Sequence, residues 1–226
     1  MKRLIAMSGS EWQRKNKQEL NDFFSKGLDM SFLDKLKSRR SIYALGRNVN
    51  TDNSTIESVI KEAIRNSPSS FNSQSSRAVI LFNGEHDAFW QIVEDTLRAI
   101  VPADAFATTE AKINSFRAGH GTVLFFEDQD VVKDLQEKFA AYADNFPIWS
   151  EQASGIAQHA VWLALADHNI GASLQHYNPI IDEQTMARWN LPASWKLRAQ
   201  MPFGSIEAPA GEKAFMDDEE RFRVFA

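Results

Sequence analysis

The chain has 226 residues with 43% hydrophobic and 24% charged side chains, enough to bury a sizeable core in one or two domains. Its 25 Lys and Arg against 30 Asp and Glu leave a net charge of −5, without the basic excess or stripe that a nucleic-acid partner requires. Cysteine is absent, which excludes disulfides, thiol nucleophiles and Cys-ligated zinc and fits a reducing compartment.

Residues 1–30 are set apart as a leader or N-terminal extension, and 31–226 as the functional domain. Within the first part, residues 11–28 have helical spacing, with Leu20, Phe23, Phe24 and Leu28 on one face. Ser31, with Asp34 three residues on, reads as a helix start. Ser54 with Glu57 reads as a capping box, followed by Ile56, Val59, Ile60, Ala63 and Ile64 at helical spacing, and Pro68 closes that helix. Residues 77–82 form a short apolar run suited to a buried strand, turned by Asn83-Gly84.

A helix over 85–100 follows, with Phe89, Trp90, Val93 and Leu97 on its apolar face, and another is expected around 102–116. Residues 121–127 read as a second buried strand and 131–142 as a helix. The longest apolar helix is expected over 150–168, its Gly155, Ala157, Ala160 and Ala164 allowing close packing in the core or against a second copy. Gly171 reads as its stop. Strands over 172–176 and 196–203 flank a short helix over 182–189, and the tail from Ala208 reads as irregular. The whole is α+β, a small central sheet wrapped by helices. The apolar run 160–166 is far too short to cross a bilayer, and the N-terminus lacks a signal-peptide core. A cytoplasmic protein is expected.

Several chemistries are missing. No Gly-x-Gly-x-x-Gly follows a strand, and there is no P-loop or Gly-x-Ser-x-Gly elbow. The five histidines show no zinc-site spacing. Three segments remain. In Lys37-Ser-Arg39-Arg40-Ser41-Ile-Tyr43, two guanidiniums and a hydroxyl can grip a phosphate, although a basic helix end facing water has the same composition. In Pro68-Ser-Ser-Phe-Asn72-Ser-Gln74-Ser-Ser-Arg77, two amides offer the donors and acceptors that read a heterocycle's edge, or simply satisfy turns. In Gly171-Ala-Ser173-Leu174-Gln175-His176-Tyr177-Asn178-Pro179, polar and aromatic groups cluster along a strand.

In this order the three segments resemble the nitroreductase family, over residues 31–226, and most of all a subfamily shared by bacteria and fungi. The resemblance implies an intertwined homodimer that binds FMN between subunits and passes electrons from NADH or NADPH to a small aromatic acceptor, a nitroaromatic or a quinone. It implies that Arg39, Arg40 and Ser41 hold the phosphate end with Tyr43 beside them. Asn72 and Gln74 would meet the ring edge, and Ser173, Leu174, Gln175 and His176 would line the ring. Lys213, or in second place Arg223, would complete the phosphate grip. No catalytic side chain and no metal are expected, since the flavin carries the chemistry. A non-catalytic flavin-binding protein of the same fold is the alternative. The sequence departs from the commoner family pattern at Tyr43, where many members are basic, and at Ser75-Ser76, where many have Pro-Trp. It departs again at 174–177, where many have Pro-x-Glu-Gly.

Overall fold

The structure, a computed structural model, describes residues 31–226 and divides after Ser38. The expected helix over 11–28 lies outside the described residues. In the first unit, helix α1 (Phe32–Ser38) starts as expected: the Ser31 hydroxyl accepts from the Asp34 amide at 3.2 Å and donates to its carboxylate at 2.7 Å.

The second unit is built on an antiparallel sheet of β1 (Leu45–Gly46), β5 (Trp195–Ile206), β3 (Gly121–Asp128) and β2 (Ser76–Phe82), in that order, with β4 (Gly171–Ala172) also paired to β5. Strand β3 runs between β2 and β5, and its residues from Gly121 to Glu127 are all buried. An antiparallel strand with one wet face would alternate apolar and polar residues; Val-Leu-Phe-Phe does not, because helices cover both faces. Val123 and Phe125 point into a core with Ile56 and Ile60 of α2 (Asn53–Arg65) and Val161 and Leu165 of α6 (Phe146–Asp167). Leu124 and Phe126 point the other way, to Phe89, Trp90 and Val93 of α3 (Asn83–Arg98) and Ile113 and Phe116 of α4 (Phe106–Arg117). Each of these buried side chains contributes roughly 1.5–3 kcal/mol of transfer free energy.

Helices α5 (Gln129–Lys138), α7 (Asp182–Arg188) and α8 (Asp218–Arg221) complete the described residues. Among them no helix is long and apolar enough to cross a membrane, and no cluster of three potential metal ligands forms.

Several expectations are corrected. Helix α2 is capped by Asp52, whose carboxylate accepts from the Thr55 amide at 3.0 Å; Ser54 lies inside the helix and its hydroxyl donates to Asp52. A carboxylate at this position outcompetes a hydroxyl, being the stronger acceptor and favoured by the helix dipole. Glu57 pairs with Lys61 instead of reaching back. The reversal after α6 falls on Asn169, at φ 57°, and Gly171 is a strand residue. Asparagine tolerates the left-handed region, so no glycine is needed there. Helix α6 begins at Phe146, four residues early, since Pro147 suits a first turn. The helix expected to Tyr142 stops at Lys138 and gives way to a tighter turn over Ala140–Asn145. The strand expected over 172–176 pairs as a ladder only at Gly171–Ala172 and then makes a single bridge, Gln175 to Gln200.

Candidate functional site

Strand β5 brings distant segments together. Its C-terminal end pairs with Leu45–Gly46 and Gly171–Ala172, its middle bridges to Gln175, and beyond it the chain continues as Ala208 to Lys213. Ser41 bridges in parallel to Ala172, and the Ile42 amide donates to the Ala172 carbonyl at 2.9 Å. The first and third segments of the sequence thus lie side by side. Gly204 makes the crossing possible, because a Cβ there would sit 2.2 Å from the Gly46 carbonyl oxygen.

Arg39, Arg40, Ser41 and Tyr43 face residues 208–213 across a cleft of about 490 Å3. Lys213, the residue the family resemblance implies for this end, is on its wall. Arg223, the second choice, instead donates to the Glu219 and Phe222 carbonyls of its own turn. Arg40 donates to the Gly211 carbonyl at 2.6 Å. The Arg39 guanidinium lies 4.5 Å from the centroid of the Trp162 ring, and Trp162 Nε1 donates to the Ala172 carbonyl at 3.2 Å. Lys213 Nζ lies 5.0 Å from the Phe215 ring. Among the described residues none of these three cations has a carboxylate partner. Burial, then the charge of Arg40, lowers the Arg39 pKa, and burial and the Arg39 charge lower that of His159. Arg39 Nε is buried with no hydrogen-bond partner. Buried donors are nearly always paired, and the cleft gathers the cationic and hydroxyl donors that suit an anion, with Glu212 also on its wall.

The second segment forms a tight turn over Ser70–Asn72. Phe71, Asn72 and Gln74 all have left-handed backbones, at φ 56°, 50° and 49°. Runs of such residues persist only where surrounding contacts enforce them. Asn72 and Gln74 are exposed, and Gln74 lines a smaller cavity of about 80 Å3 with Ile64, Ser67, Ala153 and Ala157. Phe71, 53% exposed, projects into a cluster of rings from Phe139, Tyr142, Phe146 and Trp149, the nearest centroid at 4.7 Å.

In the third segment Ser173 is buried and His176 exposed, with Leu174 and Gln175 between these extremes. The segment is held by Gln200, a buried residue that carried no signal in the sequence beyond lying in an apolar strand. Its backbone exchanges hydrogen bonds with Gln175 at 2.7 and 2.9 Å. Its side chain accepts from the Tyr177 amide at 2.7 Å and donates to Asn178 at 3.2 Å. Trp162, too, was read only as part of an apolar helix.

The model of the nitroreductase family matches residues 36–205, and the chain belongs to that family. It is 57% identical to the nitroreductase CinD from Lactococcus lactis, solved in complex with nicotinic acid, with a TM-score of 0.82 over 87% of this chain and 100% of that one. CinD is also solved in complex with chloramphenicol and with 4-nitrophenol. The Saccharomyces cerevisiae nitroreductase FRM2 is 31% identical over 195 residues, 83% of this chain and 94% of its own. An Exiguobacterium sibiricum protein solved in complex with FMN shares the fold at a TM-score of 0.66 and 12% identity, covering 87% of this chain and 98% of that one.

Proposed function

We propose that the chain is an FMN-dependent oxidoreductase that takes electrons from NADH or NADPH and passes them to a nitroaromatic or quinone. The carrying observation is the unpartnered, buried Arg39 Nε beside a cleft lined by Arg39, Arg40, Ser41 and Lys213; among the described residues no carboxylate pairs with these cations, although Glu212 also lines the cleft. A phosphate is the group this set fits: guanidinium forks, an ammonium and a hydroxyl, all donors. The complexes of CinD with nicotinic acid and 4-nitrophenol support a nicotinamide donor and an aromatic acceptor.

When bound, FMN supplies reversible two-electron chemistry that no side chain of this protein can. The protein's own residues position and select. Arg39, Arg40, Ser41 and Lys213 hold the phosphate end, with Tyr43 as a wall. Asn72 and Gln74 supply donors and acceptors at the ring edge. Ser173, Leu174, Gln175 and His176 line the ring, their backbone held in place by Gln200. The exposed Phe71 ring gives a flat acceptor a surface to stack on. A homodimer fits the apolar surface of α6, where Ile148 and Ile156 are 57% and 45% exposed beside Gly155.

The test is the visible spectrum of the purified protein and of Arg39→Ala. The native protein is expected to be yellow and to oxidise NADH or NADPH when a nitroaromatic or quinone is added. The variant is expected to bind FMN about tenfold to a hundredfold more weakly, the effect of losing a charged hydrogen-bond partner. Full flavin occupancy in Arg39→Ala overturns the phosphate assignment. A flavin-loaded protein that turns over no acceptor overturns the enzymatic one.

A further inference from the structure

A buried acid stands directly behind the ring-edge loop. Glu127, on β3 opposite Ser76 of β2, is fully buried. Its two carboxyl oxygens accept from the hydroxyls of Ser75 and Ser76, each at 2.5 Å. Among the described residues no cation hydrogen-bonds to it. Burial raises its pKa, and the two serine hydroxyls oppose that shift. A carboxyl kept in the core on two neutral donors carries a desolvation cost that those hydrogen bonds only partly offset.

That geometry points at the loop. Ser75 and Ser76 follow Gln74 directly, and they are the two residues at which the sequence departs from the Pro-Trp of many family members. Gln74 is fixed from both sides. Its amide donates to Ser69 Oγ at 2.9 Å, and its carbonyl accepts from Arg77 at 2.5 Å. Arg77 is itself paired with Asp128 at 3.0 Å, and the Asp128 amide donates to the Ser75 carbonyl at 3.0 Å. Glu127 therefore anchors the chain one residue beyond Gln74, the last of three residues held in the left-handed region that L residues disfavour, with Ser73 among them right-handed.

We propose that Glu127 is a positioning residue for the flavin ring: through Ser75 and Ser76 it fixes the Phe71–Gln74 segment so that Asn72 and Gln74 meet the ring edge. The inference rests on the FMN reading above. It concerns the ring end, so its signature differs from that of the phosphate grip.

The experiment compares the full-length protein with Ser76→Ala and Glu127→Gln, using FMN and riboflavin as probes. Ser76→Ala removes one of the two anchors without burying a new group, and it carries the test if Glu127→Gln does not fold. Hydrogen exchange at the Gln74 amide is expected to rise about tenfold, and affinity for FMN and for riboflavin to fall by the same factor, also about tenfold. Glu127→Gln, which still offers an oxygen to one serine, is expected to show a smaller change in the same direction. The visible band of the bound flavin shifts in both. Unchanged Gln74 exchange, unchanged affinities and an unchanged flavin spectrum overturn the proposal. A lowered Tm with those three readouts unchanged also overturns it, since Glu127 is then structural only. A native protein that takes up neither FMN nor riboflavin overturns the FMN reading itself, and this inference with it.

Discussion

The Arg39 guanidinium stacks on the Trp162 indole at 4.5 Å while its Nε stays buried and unpaired. An indole beneath the guanidinium attracts its charge without using any of its N–H groups, which under the proposed function leaves the fork for an oxyanion. Arg39→Lys keeps the charge but loses both the plane and the fork. It is expected to recover little of the FMN affinity lost in Arg39→Ala. Trp162→Leu is expected to weaken FMN binding by roughly 0.5–2 kcal/mol, the range of a partly desolvated cation–π contact. Fluorescence titration of the flavin-stripped protein checks both. Native-like binding by Arg39→Lys would show that only the charge matters.

Phe71 offers a different handle. Its exposed ring is backed by four others, with Phe146 at 5.5 Å and Trp149 at 6.3 Å. Replacing it by leucine keeps an apolar side chain but removes the stacking surface. Loss of one aromatic pair, about 0.5–1.5 kcal/mol, is expected to raise KM for a nitroaromatic about twofold to tenfold while FMN affinity holds. Steady-state kinetics with 4-nitrophenol and a non-aromatic acceptor separate the effects, and an equal loss for both acceptors would sink the stacking role.

The Arg39–Ser41 side of the cleft is legible in the sequence because it is made of side chains close in the chain. Arg39, Arg40 and Ser41 are consecutive, and guanidinium chemistry is conspicuous in composition. Lys213 needed the family resemblance, since no local pattern ties a lysine in a polar tail to residues 170 positions earlier. Gln200 and Trp162 were invisible for another reason: each sits in an element whose periodicity says core, and what matters is the backbone carbonyl or amide it reaches across the sheet. Strands β2 and β3 were read because continuous apolar runs announce burial on both faces. Strand β4 was overextended, because Ser173 to His176 follows β5 by one bridge and side-chain clamps rather than by a ladder. The Asp52 cap is masked in the sequence by Ser54-x-x-Glu57, which fits a capping box where Asp52, with Thr55 three residues on, does not.

His86 gives a prediction in pH. Its ring is fully buried between the Arg117 carbonyl at 3.0 Å and Thr122 Oγ1 at 2.8 Å, and Trp90 Nε1 donates to the same hydroxyl at 3.0 Å. The carbonyl fixes Nε2 as donor, so Nδ1 accepts from Thr122, and the network suits the neutral imidazole. Burial lowers its pKa from 6.5 to about 4. The unfolded chain therefore binds the extra proton first, and the stabilising effect is whole above pH 6.5 and is lost as pH falls toward 4. The loss amounts to roughly 3 kcal/mol. Chemical denaturation from pH 7 to 4 is expected to show this fall, and His86→Gln to flatten that share of it. Identical slopes in the two proteins would refute the assignment.

Gly204 tests the crossing of β1 and β5. An alanine Cβ would meet the Gly46 carbonyl at 2.2 Å and the His120 amide nitrogen at 3.0 Å, both backbone atoms that cannot rotate away. Gly204→Ala is expected to cost about 1–3 kcal/mol and lower Tm by several degrees. It should also weaken FMN binding, since only three residues separate β1 from the Arg39–Ser41 segment. A variant as stable as the native protein would mean the strands can separate there at little cost.

The twelve-residue strand β5 has one more consequence. It acts as a common ruler for segments that are far apart in the chain: β1, β4, the Gln175 bridge and the stretch that leads to Lys213 all adjoin it. Deleting a single residue from its middle would invert the facing of every side chain beyond the cut and carry both ends of the cleft out of alignment together. Changes along this strand cannot adjust one end of the site alone. Under the proposed function, a change of acceptor would fall instead on pieces that never pair with it, the Phe71–Gln74 loop and the outer face of α6.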